Sequence, residues 1–131
     1  MQESFVLEET FAVEPSFLYS AWLDSTLHSQ MTGGEAQCST EEGGTFSAWD
    51  GYITGQNVEL MANKKIVQTW RTSEFDENDE DSVLIIEFIK VPEGTKLILT
   101  HTKIPPGQTQ YQQGWINHYF SPMKAFISNQ K

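Results

Sequence analysis

Three histidines, one cysteine and an acidic run are the residues of this chain whose types could do chemistry. His28, His101 and His118 stand far apart, with no HExxH, no paired cysteines and no two-histidine-plus-carboxylate spacing, so no metal site is expected. Asp76, Asn78, Glu80 and Glu87 match positions one, three, five and twelve of a calcium loop. The sixth position must be Gly for the sharp turn and is Asp81, while Glu87 falls inside a strand pattern, so the calcium assignment is rejected. Cys38 lies between Gln37 and Ser39, with no base beside it to lower the thiol pKa. A Gly-x-Ser-x-Gly elbow, a phosphate loop and a dinucleotide fingerprint are all missing from the sequence, so neither catalytic residues nor a cofactor are expected. His101 and His118 could still meet across an interior gap. The plainer alternative is that each is a hydrogen-bonded core histidine.

The aromatic residues point to binding rather than catalysis. Phe46, Trp49, Tyr52, Trp70, Tyr111, Trp115, Tyr119 and Phe126 are spread over strand-like stretches and one long helical stretch. A curved sheet laid around such a helix leaves a gap that either fills with side chains or hosts an apolar ligand. The candidate lining is Phe46, Tyr52, Trp70, His101, Tyr111, Trp115, His118, Tyr119, Met123 and Phe126. The polar tips of Tyr52, Tyr119, His118 and His101 could orient a ligand there. Strand register cannot be read from the pattern, so which of Trp49, Tyr52 and Trp70 point inward stays open.

The elements that must position these residues follow from periodicity. Phe5, Leu7, Phe11 and Val13 alternate with polar residues between Glu3 and Glu14, which predicts a half-buried strand. Pro15 suits a first helical position, and Phe17, Leu18, Ala21 and Trp22 predict a helix over Pro15–Leu23. Asp24-Ser25-Thr26 caps a second helix over Thr26–Met31, ended by Gly33-Gly34. Gly43-Gly44 opens a short apolar run closed by Asp50-Gly51, a type I′ hairpin signal; Tyr52–Met61 and Ile66–Arg71 continue as antiparallel strands around Ala62-Asn63-Lys64. After the charged loop Glu74–Asp81, strands are predicted at Ser82–Val91 and Thr95–Lys103 around Pro92-Glu93-Gly94. Leu84, Ile86 and Phe88 share one face of the first of these, with Val83, Ile85 and Ile89 on the other, which predicts a central strand covered on both sides. Pro105-Pro106-Gly107 ends the sheet, and from about Thr109 the chain reads as helix. At about 100° per residue, Tyr111, Trp115, His118, Tyr119, Pro122 and Phe126 fall in one arc. Pro122 should kink this helix near His118.

Size and charge set the outer limits. The 131 residues make a single domain, 1–131, large enough to bury about two thirds of its unfolded surface. No apolar run approaches the ~20 residues that span a bilayer. The start lacks the basic region of a secretory signal, and one cysteine cannot form an internal disulfide, so a cytoplasmic location is expected. The net charge is −10, from 18 acidic and 8 basic residues, and Lys64 is the first basic residue, so the N-terminal half carries the whole deficit. Such a surface repels nucleic acid and anionic membrane and would attract a basic partner.

Several blocks resemble one family in order along nearly the whole chain: Gly43-Gly44-x-Phe46, Asp50-Gly51-x-Ile53-x-Gly55, Glu59-Leu60, Ile66-Val67-x-x-Trp70-Arg71 and Gln113-Gly114-Trp115-x-x-His118-Tyr119-Phe120-x-Pro122-Met123-Lys124. The chain resembles the AHSA-type domain, the C-terminal domain of the activators of the ninety-kilodalton heat-shock chaperone's ATPase, within the START-like (SRPBCC) helix-grip superfamily. The resemblance implies an α+β fold in which a curved antiparallel sheet of six or seven strands wraps a long C-terminal helix, with two short helices after the first strand. It implies three functions in order: a non-enzymatic protein holding a small hydrophobic ligand; a co-chaperone that binds the heat-shock chaperone and modulates its ATPase under stress; and a polyketide cyclase-like enzyme. The eukaryotic activators carry an additional N-terminal domain that supplies much of the stimulation. A free-standing copy is therefore expected to be a poor activator.

Overall fold

The computed structural model describes residues 3–128. Strand β1 (Glu3–Phe11) is followed by helices α1 (Pro15–Leu23) and α2 (Ser25–Thr32). Strands β2 (Thr45–Ala48), β3 (Ile53–Met61), β4 (Lys65–Thr72), β5 (Ser82–Val91) and β6 (Gly94–Ile104) come next. The last segment runs without a break through α3 (Tyr111–Trp115), a π-helical turn (Ile116–Phe120) and α4 (Ser121–Ser128). All six strands pair antiparallel in the order β1-β6-β5-β4-β3-β2. This is an α+β helix grip, with six strands.

The local causes are those the residues suggest. Pro15 starts α1, and the Asp24 carboxylate caps α2 by accepting the Leu27 N–H at 2.9 Å. In the sheet, register decides which side chains turn inward. One row runs Phe46–Gly55–Trp70–Ser82 across β2 to β5. The next inward row runs Gln68–Leu84–His101–Phe5 across β4, β5, β6 and β1. Gly55 is required where it stands, because a Cβ there would lie 1.9 Å from the Thr69 carbonyl oxygen and 2.6 Å from the Phe46 ring. Its bare backbone lets Phe46 fold over β3 and become buried.

Three expectations are corrected here. First, β5 is central, but only its inner face is covered: Leu84, Ile86 and Phe88 are buried, Val83 and Ile85 are half-buried, and Ile89 is 44% exposed. On the outer face Val67, Ile85, Thr100 and Val6 form one cross-strand row, so the apolar residues there reflect strand propensity and lateral packing rather than a second layer. Second, the Asp50-Gly51 turn is present, with positive φ at both residues and the Tyr52 N–H donating to the Trp49 carbonyl at 3.1 Å, but the β2–β3 connection around it is four residues long rather than two. Ala48 pairs with Ile53, and Trp49, Asp50 and Gly51 all take left-handed backbone, with φ of 52°, 59° and 92°. The left-handed run thus begins one residue earlier than the Asp-Gly signal, on a tryptophan. Third, the irregularity before Pro122 is a π turn, in which the Ser121 N–H reaches back to the Ile116 carbonyl.

The π turn re-aims the helix. A four-residue step on an α-helix overshoots a full turn by about 40°, so a stripe at that spacing drifts off the sheet. The wider turn takes that drift back. Tyr111, Trp115, Tyr119, Met123 and Ile127 therefore all stay buried, whereas His118 is exposed and Pro122 and Phe126 are only half-buried. The arc read at a uniform 100° per residue groups His118 with the buried stripe; it is exposed, while still lining the cavity described below.

Candidate ligand-binding cavity

Between the inner face of β3–β4 and the start of the last helix lies a cavity of about 510 Å³, partly open to solvent. That is within the usual range for small-molecule sites. Trp49, Tyr52, Ile53, Trp70, Gln110, Tyr111, Gly114, Trp115, His118 and Tyr119 line it. Of the candidate residues, Tyr52, Trp70, Tyr111, Trp115, His118 and Tyr119 are brought together here.

The other four lie elsewhere. Phe46 lines a separate open groove with Gln37, Thr54 and Arg71. Met123 is fully buried, farther along the helix, and Phe126 packs against the core from a half-buried position. His101 is sealed behind the cavity wall. Its ring lies 4.6 Å from that of Trp70 and 6.0 Å from that of Trp115, centroid to centroid. His118 is exposed, edge-on to Trp49 at 5.7 Å. The two histidines thus have different neighbours and do not form a pair.

The wall is held by two directed hydrogen-bond chains. Trp115 Nε1–H donates to His101 Nδ1 at 3.1 Å, so the neutral ring carries its proton on Nε2 and donates to Ser82 Oγ at 2.8 Å. Ser82 then donates to the Trp70 carbonyl at 2.7 Å. Burial pushes His101 down to about 3, which keeps the ring neutral and this chain intact. The second chain joins α2 to the π turn. His28 Nδ1–H donates to the Trp22 carbonyl at 2.8 Å, leaving Nε2 to accept from the Tyr119 hydroxyl at 3.0 Å. Burial lowers the His28 pKa, and it raises that of the fully buried Tyr119 phenol.

Cys38 does have a histidine neighbour that its sequence surroundings do not reveal: Sγ lies 3.7 Å from His28 Nδ1. That nitrogen carries a proton committed to Trp22, so it cannot take one from the thiol. Burial, with the Asp24 charge, pushes Cys38 up to about 11. The pair is not an activated nucleophile.

Tyr52 and Tyr111, which line the cavity, belong to a polar cluster. Tyr52 donates to the Glu74 carboxylate. Tyr111 donates to Gln108 Oε1 at 2.6 Å and receives from Thr72 Oγ1 at 2.7 Å. Burial raises the Tyr52 and Tyr111 pKa values, so both phenols stay protonated donors near neutral pH. Trp49, also on the lining, packs against the Gly34 backbone, where an added Cβ would sit 2.3 Å from the indole ring. Asp50 ties this loop down through a backbone bond of 3.0 Å to the Glu35 carbonyl. Trp49, Ile53, Gln110 and Gly114 were not among the candidates. Only Trp49 carried a signal, its aromatic type, and its direction depends on the left-handed turn.

The model of the family described as activator of Hsp90 ATPase homolog 1-like protein matches residues 12–128. The human activator of 90 kDa heat shock protein ATPase homolog 1 is 30% identical over 119 residues, which are 90% of this chain and 35% of that protein. The chain thus spans about a third of the length of the curated relatives it matches. A crystal structure from Plasmodium falciparum, described as an HSP90 activator, superimposes with a TM-score of 0.87 at 29% identity and covers 95% of this chain and 96% of that one. A Mesorhizobium loti protein reaches a TM-score of 0.84 at 19% identity over 98% of this chain and 99% of that one, a likeness of fold alone.

Proposed function

The chain belongs to the activator of Hsp90 ATPase homolog 1-like family, and from that premise we propose that it is a binding module without catalytic chemistry, whose grip holds a small, flat, largely apolar molecule. The observation that carries this reading is the cavity of about 510 Å³ walled by Trp49, Trp70, Trp115 and Tyr119. Rings on several sides suit a planar ligand, since aromatic faces and edges add to simple area burial. The polar groups behind the wall are hydrogen-bonded to one another.

The test fills the cavity without disturbing the core. A Cβ at Gly114 would have nothing nearer than His118 Cδ2 at 4.0 Å, so a phenylalanine there has room to extend into the gap. Fluorene titrated into the full chain should quench tryptophan emission saturably, and Gly114→Phe should weaken that binding at least about tenfold. Non-saturable quenching, or equal binding by the variant, would reject the reading.

A second reading has its own support. The Plasmodium falciparum protein described as an HSP90 activator matches 95% of this chain at 29% identity. A chaperone-docking role for this chain would use the acidic outer surface rather than the cavity. It predicts that the full chain changes the ATPase rate of a ninety-kilodalton heat-shock chaperone, with an effect that weakens as salt is raised. An unchanged rate at low salt and saturating chain would remove it.

A further inference from the structure

Along the last helix the cavity is lined by two ranks of residues, each advancing in steps of four. Tyr111, Trp115 and Tyr119 form the buried rank, and their donors are spent on Gln108, His101 and His28 in turn. Gln110, Gly114 and His118 form the outer rank. Gln110 and His118 are exposed, with side-chain polar atoms unpaired among the described residues, and Gly114 lies half-buried between them. Nothing in the structure demands glycine at 114. Its φ is not left-handed, its N–H makes a helical bond of 3.0 Å to the Gln110 carbonyl, and an added Cβ would meet nothing nearer than His118 Cδ2 at 4.0 Å. A glycine inside a helix weakens it relative to alanine, so this one costs stability and returns no packing. What it leaves is a break in the outer rank. At His118 the rim is bridged to the β2–β3 turn, where the ring meets Trp49 edge-on at 5.7 Å, whereas at Gly114 no side chain stands.

We infer that Gly114 is the doorway of the cavity, and that the ligand is a flat apolar body whose polar end leaves through it between Gln110 and His118. This rests on the cavity reading above and adds an entry point and an orientation to it. The apolar body lies on the buried rank, whose donors are already committed. The polar end stays at the rim, where the Gln110 amide and the His118 ring nitrogens are open to it. Both side chains are solvated in the free chain, so they set the direction of the ligand more than its affinity.

Fluorene, and fluorene carrying a tetraethylene glycol chain at one end, test this as a pair. The tailed ligand should bind within about threefold of fluorene, because its tail stays in solvent. Intermolecular nuclear Overhauser effects should run from its rings to Trp115 and from its tail to the Gln110 and His118 side chains. Gly114→Ala places a methyl against His118 Cδ2 and closes the break. It should raise the melting temperature, and it should raise the dissociation constant of the tailed ligand at least about fivefold relative to that of fluorene. A melting temperature that does not rise would mean that the fold itself needs the glycine. An unchanged ratio, tail contacts away from Gln110 and His118, or a tailed ligand shut out of a chain that binds fluorene would mean that the mouth is not at Gly114. Each of these overturns the inference and leaves the cavity reading standing as long as fluorene binds. Failure of both ligands to bind overturns both.

Discussion

His101 shows how much one buried side chain can commit a structure to a pH range. Its ring accepts from Trp115 and donates to Ser82, an arrangement only the neutral form can make. With the folded pKa near 3 against an ordinary value of 6.5, the unfolded chain binds a proton that the folded chain refuses. Stability from this residue is therefore full above about pH 6.5 and is lost as pH falls toward 3. Between pH 7 and pH 5 the loss should be about 2 kcal/mol from His101 alone, with His28 adding in the same direction. Urea unfolding at the two pH values measures it, and His101→Gln should flatten the profile. A profile equally steep in that variant would mean the proton is taken up elsewhere. None of these pairings was legible in the sequence: Tyr119 and His28 are 91 positions apart, and the Cys38 contact exists only because α2 folds back on the loop after it. Residue types alone left His101 with two roles, pocket wall or core, and it takes the second.

At the scale of elements, the last helix and the β2–β3 turn carry the site, and each departs from an ideal repeat. Trp115 sits where the helix meets the sheet, its ring 5.6 Å from that of Trp70 and 4.6 Å from that of Tyr119. Trp115→Ala should cost about 3–5 kcal/mol, read as a fall in melting temperature, through the void it leaves and the lost donor to His101. An unchanged melting temperature would mean the helix is not gripped. Gly55→Ala should also destabilise, by about 1–3 kcal/mol, because its methyl would press on the Thr69 carbonyl and the Phe46 ring. A neutral effect would place Phe46 elsewhere. The order and type of the elements were legible because alternation, Pro15, the Asp24 cap and the Pro-Gly breaks are local signals. The π turn was not, because a helix pattern assumes a constant advance per residue. The Asp50-Gly51 signal marked the right place, but the left-handed run begins at Trp49. That one-position difference is what lays the indole on Gly34.

The whole molecule is a one-sided sheet. The helices cover its concave face, and its convex face is open, with Val6 and Ile89 57% and 44% exposed. The core is continuous from α1 across the sheet to α4, and the cavity lies against it, partly open to solvent. Among the described residues no helix is long and apolar enough to cross a membrane. The family was legible from glycine, Asp-Gly and tryptophan blocks because these mark turns and close approaches that the fold requires. The lining of the gap was legible only in part. Aromatic type identified Tyr52, Trp70, Tyr111, Trp115 and Tyr119, while small or unremarkable residues such as Gly114 and Gln110 gave no signal. The acidic first half is a property of the whole surface and bears on docking, not on the cavity.

The most direct measurement is a set of intermolecular nuclear Overhauser effects from fluorene bound to the chain. The account predicts contacts to the Ile53 methyls and to the Trp70, Trp115 and Tyr119 rings at one saturable site, and none to Val6, Val83 or Ile89 on the outer face. Contacts confined to that outer face, or no saturable contact anywhere, would contradict it.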